Sequence, residues 1–146
     1  MQLQQLASLL AVSRVVGDGT VDCRGIGADS RRVQPGDLFL CLPGFTVDGH
    51  DYAEQAVASG AAALVVERVL DVPVPQLVVK DARHAMAVLA DYMFDSPSRR
   101  MRMIGITGTN GKTTITYLLE KIMKDAGVNT GLIGTIQMRY NGQSYP

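Results

Sequence analysis

The apolar and polar positions divide this chain into two stretches with different signatures. In the first, short unbroken apolar runs alternate with helically spaced ones. Leu38-Phe39-Leu40-Cys41-Leu42 and Ala63–Val66 are wholly apolar, and Gln76–Val79 is nearly so. Runs of that length predict strands buried on both faces of a parallel sheet. Between them, Tyr52, Ala53, Ala56 and Val57 share one helical face that Gly60 ends, with Asp51 and Glu54 in a capping arrangement. Ala82 to Phe94 puts Ala85, Leu89, Tyr92 and Met93 on one side of a second helix, and Leu3, Leu6, Leu9 and Leu10 predict a short amphipathic helix over residues 2–11. Gln34-Pro35-Gly36-Asp37 reads as a turn, Pro73 and Pro75 mark a loop, and Val15 to Ile26 has no clear period.

Asp95-Ser96-Pro97-Ser98 closes this first stretch, which sets an expected domain boundary between residues 1–98 and 99–146. The second stretch opens on an apolar run that predicts a strand over Met103–Thr107. Ile115, Leu118, Leu119, Ile122, Met123 and Ala126 then recur at helical spacing, with Gly127 as the natural residue past the helix end. Thr130–Ile133 reads as a strand, and Gln137–Tyr140, Asn141-Gly142 and Gln143–Tyr145 as a hairpin with a two-residue turn. The expected fold class is α/β: a small N-terminal α/β domain, then the first strand–loop–helix part of a phosphate-loop domain. A second unit of roughly 45 residues is too small to cover the apolar face of its own helix, so the chain reads as a fragment of a longer protein.

The junction of that strand and helix, Gly105-Ile-Thr-Gly-Thr-Asn-Gly-Lys-Thr-Thr114, carries chemistry. Gly108 and Gly111 let the main chain approach an anion closely, and successive N–H groups can then face one concavity. The helix N-terminus adds partial positive charge, Lys112 a full one, and Thr113 a hydroxyl able to reach a phosphate-bound Mg²⁺. The general phosphate-loop pattern begins with glycine where this chain has Ile106, so the match is to a variant with Gly108 as the first glycine of the turn.

Composition narrows the partners. The chain is 47% hydrophobic and 19% charged, with 14 basic and 14 acidic residues. It reads as globular, and its net charge of zero gives no general attraction to nucleic acid or anionic lipid. Arg99, Arg100 and Arg102 read as a solvated linker. Cys23 and Cys41 have no metal or redox spacing and are expected as reduced thiols, although a bridge between them stays open on sequence alone. No leader pattern or membrane-length apolar run is visible, so a cytoplasmic protein is expected; a monomer is the expectation for assembly, although the sequence does not reveal it. His50 reads as a surface or hydrogen-bonded loop residue, and His84 as an exposed helix position.

Taken together, Ile106–Thr114, Asp29-Ser30-Arg31, Pro35-Gly36-Asp37-Leu38-Phe39 and Asp48-Gly49-His50-Asp51-Tyr52 resemble, in order and spacing, the motifs of the Mur ligases, which build the peptide stem of bacterial cell-wall precursors. Within that family, Thr109-Asn110 and Leu132–Ile136 look most like the MurE type. The resemblance implies ATP-dependent addition of a diamino acid, meso-diaminopimelate or lysine, to UDP-N-acetylmuramoyl-L-alanyl-D-glutamate through an acyl-phosphate, with ATP and Mg²⁺. It implies that Gly108, Thr109, Asn110, Gly111, Lys112, Thr113 and Thr114 hold ATP, with Lys112 catalytic and Thr113 toward the metal. It implies that Ala28, Ser30, Phe45, Thr46 and Val47 hold the uridine-diphosphate end. The carbamylated lysine and remaining metal ligands of the family would lie beyond Pro146, so the chain alone is expected to be inactive. Three alternatives remain: the MurF type, which adds D-Ala-D-Ala; another phosphate-loop kinase or NTPase; and a non-enzymatic UDP-sugar-binding module.

Overall fold

The computed structural model describes residues 1–44, 47–140 and 143–145. They fall into two compact units, Met1–Met101 and Arg102–Pro146.

The first unit is a three-layer α/β/α arrangement. Its sheet comprises β1 (Ser13–Val16), β2 (Gly25–Gly27), β3 (Asp37–Leu40), β4 (Ala63–Val66) and β5 (Gln76–Val79), in the order β1-β5-β4-β3-β2. β2 to β5 are mutually parallel, and β1 closes the β5 edge antiparallel. The unbroken apolar runs are central because both of their faces are covered. Leu38, Leu40, Ala63, Val65, Leu77 and Val79 point to one side and pack with α1 (Leu3–Ala7) and α3 (Ala82–Met93). Phe39, Cys41, Leu64 and Val66 point to the other and pack with Ala53 and Ala56 of α2 (Ala53–Ala58). All four residues of β4 have zero exposure, so this strand is the centre of the unit.

α1 is shorter than the expected residues 2–11. Leu9 and Leu10 N–H groups bond to Leu6 and Ala7 carbonyls three residues back, which tightens the helix and turns it toward β1. Both leucines still pack on the core half-buried. β1 and β2 went unread in the sequence. β3 ends two residues before the apolar run does, because Leu42 N–H turns back to the Leu40 carbonyl. The Gln76 side chain, buried at the head of β5, both donates to and accepts from the main chain of Leu70 at 2.7 and 2.8 Å and so closes the β4–β5 loop.

The second unit has α4 (Lys112–Asp125) and an antiparallel sheet of β6 (Gly131–Ile133), β7 (Met138–Tyr140) and β8 (Gln143–Tyr145). α4 ends in a paired C-terminal motif: Val128 N–H bonds to the Met123 carbonyl and Gly127 N–H to that of Lys124. Tyr140 pairs with Gln143. The expected turn Asn141-Gly142 lies outside the described residues. The expected strand Met103–Thr107 is absent. Met103 and Ile104 are 66% and 54% exposed. An extended apolar run becomes a strand only when a neighbour satisfies its N–H and C=O groups, and no described strand lies beside this one.

Candidate functional site

The parallel strands β2, β3 and β4 all end at one edge of the first sheet, the edge where α/β folds gather ligand-binding loops. Ala28 and Ser30 follow β2 there, and Val47 to His50 follow β3. Ala28 is exposed. Asp29 forms a local turn: its Oδ1 accepts from Arg31 N–H at 3.1 Å, and its two oxygens accept from Arg31 Nε and Nη2 at 2.9 Å. The Arg31 side chain, then its N–H, hold the Asp29 carboxyl down at about 2. Ser30 is 7% exposed, and its Oγ donates to Gln55 Oε1 on α2 at 2.9 Å. That bond fixes the hydroxyl and leaves the oxygen's acceptor capacity and the Gln55 amide nitrogen for a ligand. Val47 is 49% exposed, an apolar surface beside these polar groups. Phe45 and Thr46, expected to share the site, lie outside the described residues.

The far side of the β3 loop is held by charge and hydrogen bonds. Asp48 Oδ1 accepts from His50 N–H at 3.0 Å and lies 2.6 Å from His50 Nδ1, and Asp48 Oδ2 accepts from Arg68 Nη1 at 2.9 Å. These donors, the His50 N–H first, hold the Asp48 carboxyl well below the usual carboxylate range. Glu67 N–H donates to His50 Nε2 at 3.0 Å, and Glu67 Oε1 accepts from Ala82 N–H at 2.8 Å. Sequence reasoning did not find Gln55, Glu67 or Arg68. Glu67 and Arg68 directly follow β4, so the strand-end rule applied to that strand would have pointed to them. Gln55 carries no sequence signal of its own. At the same strand ends, on the β1–β5 side, a cleft of about 540 Å³ is lined by Val12, Glu67, Lys80 and His84 among others; none of the expected site residues lines it.

In the second unit the turn ahead of α4 bends at Thr109-Asn110. Gly108 and Gly111 have φ of 152° and 76°, conformations that glycine adopts without a Cβ penalty. The first helical bond is Ile115 N–H to the Gly111 carbonyl. Among the described residues, no main-chain N–H from Gly108 to Thr114 donates to a protein acceptor. A free row of amides at a helix N-terminus is an anion cradle. Lys112 Nζ folds back to donate to the Gly108 carbonyl, which holds its charge at the first glycine of the turn. The Thr116 hydroxyl is tied to the Lys112 carbonyl, whereas the Thr113 hydroxyl makes no protein bond among the described residues. An unbonded hydroxyl one residue past the lysine, in an anion cradle, fits a Mg²⁺ carried in by phosphates. A hollow of about 160 Å³ beside the turn is lined by Lys112, Thr113, Tyr117 and the segment 132–137.

A parallel-rich α/β unit with polar groups and an apolar surface at its strand ends, followed by a glycine-bearing turn at a helix N-terminus, defines an α/β protein with a phosphate-loop-like segment. The chain matches the Mur ligase family, catalytic domain, over residues 22–93 and the Mur ligase middle domain over residues 106–146. It belongs to the Mur ligase family. A relative from Geobacillus thermodenitrificans, named UDP-N-acetylmuramoyl-L-alanyl-D-glutamate–2,6-diaminopimelate ligase, is 51% identical over 146 residues, which is all of this chain and 30% of the relative. A solved structure of a ligase with the same name superposes with a TM-score of 0.74 at 24% identity, covering all of this chain and 30% of that one. A MurF ligase from Thermotoga maritima in complex with ADP superposes with a TM-score of 0.55 at 28% identity, covering 70% of this chain and 23% of that one. The chain thus spans about 30% of the length of the curated relative.

Proposed function

We propose that this chain is the nucleotide-handling front part of an ATP-dependent ligase that joins 2,6-diaminopimelate to UDP-N-acetylmuramoyl-L-alanyl-D-glutamate. The reaction is the one named for the 51% identical relative. The observation that carries it is the row of unpartnered amides from Gly108 to Thr114 together with the Lys112 ammonium. The D-Ala-D-Ala-adding alternative has weaker support, from structural matches at 28 and 32% identity.

The two units divide the work. Residues 1–98 grip the uridine-diphosphate handle through Ser30, Ala28 and the β3 loop with Phe45, Thr46 and Val47. Residues 99–146 hold ATP through Gly108 to Thr114. Lys112 neutralises charge on the β- and γ-phosphates as the γ-phosphoryl group passes to the substrate's D-glutamate γ-carboxylate. The carboxylate oxygen, a poor leaving group, thereby becomes a phosphate, a good one, and the incoming amine displaces it to form the amide. Thr113 is the residue that would hold Mg²⁺, whose chemistry is to screen phosphate charge. Binding the distant handle aligns the reacting carboxylate, and such orientation contributes on the order of 7–11 kcal/mol in favourable cases. No helix among the described residues is long and apolar enough to cross a membrane.

The test is Lys112→Ala in the whole enzyme carrying this chain, assayed for ATP-dependent amide formation. A loss well above tenfold is expected. Activity within tenfold of wild type, worth only about 1.4 kcal/mol, would remove Lys112 from the chemistry.

A further inference from the structure

His50 sits in the polar Asp48–Tyr52 segment, yet its side chain has zero exposure. A ring buried only to fill space needs no nitrogen, but both nitrogens here are engaged. Nε2 accepts the Glu67 N–H at 3.0 Å, so it carries no proton. The ring proton therefore sits on Nδ1, aimed at Asp48 Oδ1 at 2.6 Å. Arg68 holds the other Asp48 oxygen at 2.9 Å. Every polar side-chain atom of the pair is used, and two of the bonds, Glu67 N–H to His50 Nε2 and Arg68 Nη1 to Asp48 Oδ2, tie the loop after β3 to the end of β4.

The backbone around the pair is equally constrained. Gly49 N–H donates to the Leu42 carbonyl at 2.9 Å. A Cβ added at Gly49 would lie 2.5 and 2.7 Å from the Leu42 nitrogen and oxygen, which leaves no room for a side chain. Asp48 bridges back to Pro43, and Gly44 N–H donates to the Val47 carbonyl at 3.0 Å. The clamp thus ends at Val47, whose apolar side chain is exposed beside these hydrogen bonds.

We propose that His50 is a positioning residue for nucleotide binding: it locks the Val47–Gly49 backbone to the end of β4 and thereby sets the surface on which the uridine-diphosphate handle rests. This rests on the reading of that edge as the handle's site. His50 acts through Asp48 and Glu67 and does not touch the ligand.

The test is calorimetric titration of UDP-N-acetylmuramoyl-L-alanyl-D-glutamate into the whole enzyme carrying this chain and into its variants, with ATP as the control ligand. His50→Asn keeps a donor near Nδ1 but has no acceptor for Glu67 N–H, and His50→Phe keeps the ring shape with neither. Both are expected to weaken the uridine nucleotide at least tenfold and to leave ATP within twofold. Asp48→Asn, on the accessible side of the clamp, carries the test should the ring variants fail to fold, with the same expected loss. A long-range proton–nitrogen spectrum of the wild-type chain is expected to show His50 protonated at Nδ1 and bare at Nε2. Folded variants that bind the uridine nucleotide within twofold of wild type, or a proton on Nε2, overturn the inference and leave the site reading standing. A wild-type enzyme that does not bind the uridine nucleotide overturns the site reading and the inference together. Equal losses for both ligands would mark His50 as a general stability residue and overturn its positioning role.

Discussion

At Asp48, three donors converge on two carboxylate oxygens: the His50 N–H, the His50 ring and the Arg68 guanidinium. All three favour the ionised form, so the folded-state affinity for a proton is lowered. The linkage then has a definite sign. The stabilisation is fully present above the unfolded carboxylate value, about 3.9, and is lost as pH falls through the depressed folded value. Asp29, held at about 2 by Arg31, adds to the same slope. The first unit is therefore expected to lose stability progressively below about pH 4. Asp48→Asn should be less stable at neutral pH and should lose less on acidification. Urea unfolding at pH 7 and pH 3 measures both slopes, and parallel slopes would show that Asp48 titrates alike in both states. Ser30 illustrates the limit of reading residues singly. Its motif was visible in the sequence, but its hydroxyl is oriented by Gln55, 25 positions away, and nothing in the spacing pairs the two.

The same contrast holds between elements. β4 and β5 were legible to the residue, because a strand covered on both faces is apolar almost throughout, Gln76 at the head of β5 being the exception. α3 was legible because Ala82, Ala85 and Leu89 face the core at helical spacing. β2 could not be read: Gly25-Ile26-Gly27 is an edge strand whose apolar content is one residue, and its place is set by pairing with β3. The opposite error came at Met103–Thr107, where an apolar pattern promised a strand that pairing did not supply. Pattern reports what a segment can bury, and partners decide whether it does. α4 shows the difference in energetic terms. Leu118 on its apolar face is 58% exposed, whereas Leu64 in β4 has zero exposure. Leu64→Ala is expected to destabilise the first unit by about 2–5 kcal/mol, and Leu118→Ala to change the stability of the chain by about 0.5 kcal/mol or less. Chemical denaturation of the two variants checks the pair, and comparable losses would mean that α4 is covered in solution.

Across the whole molecule, buried side chains are unevenly shared. Two apolar clusters, one on each sheet face, fill the first unit, whereas in the second only Leu132 among the described residues is buried. Since burial of apolar surface is the main term against chain entropy, the second unit should open at far lower free energy than the first. The free amides from Gly108 to Thr114 lie in that weaker unit, so nucleotide binding and local order are coupled there: a ligand that bonds those amides stabilises the unit in proportion to its occupancy. The two cysteines report on the other unit. Cys23 and Cys41 are 1% and 0% exposed, and burial pushes their thiols up to about 11 and about 12, so neither offers thiolate to a reagent until the first unit opens. Hydrogen–deuterium exchange on the chain should therefore show β4 amides protected to the level of global unfolding and α4 amides exchanging much faster. ATP with Mg²⁺ should slow exchange from residue 108 through the first turn of α4 and leave β4 unchanged, and a disulfide-exchange thiol reagent should modify Cys23 and Cys41 no faster with ATP than without. Equal protection of α4 and β4 without ligand would show a second unit as stable as the first. Slowing confined to β4 would place the nucleotide on the wrong unit.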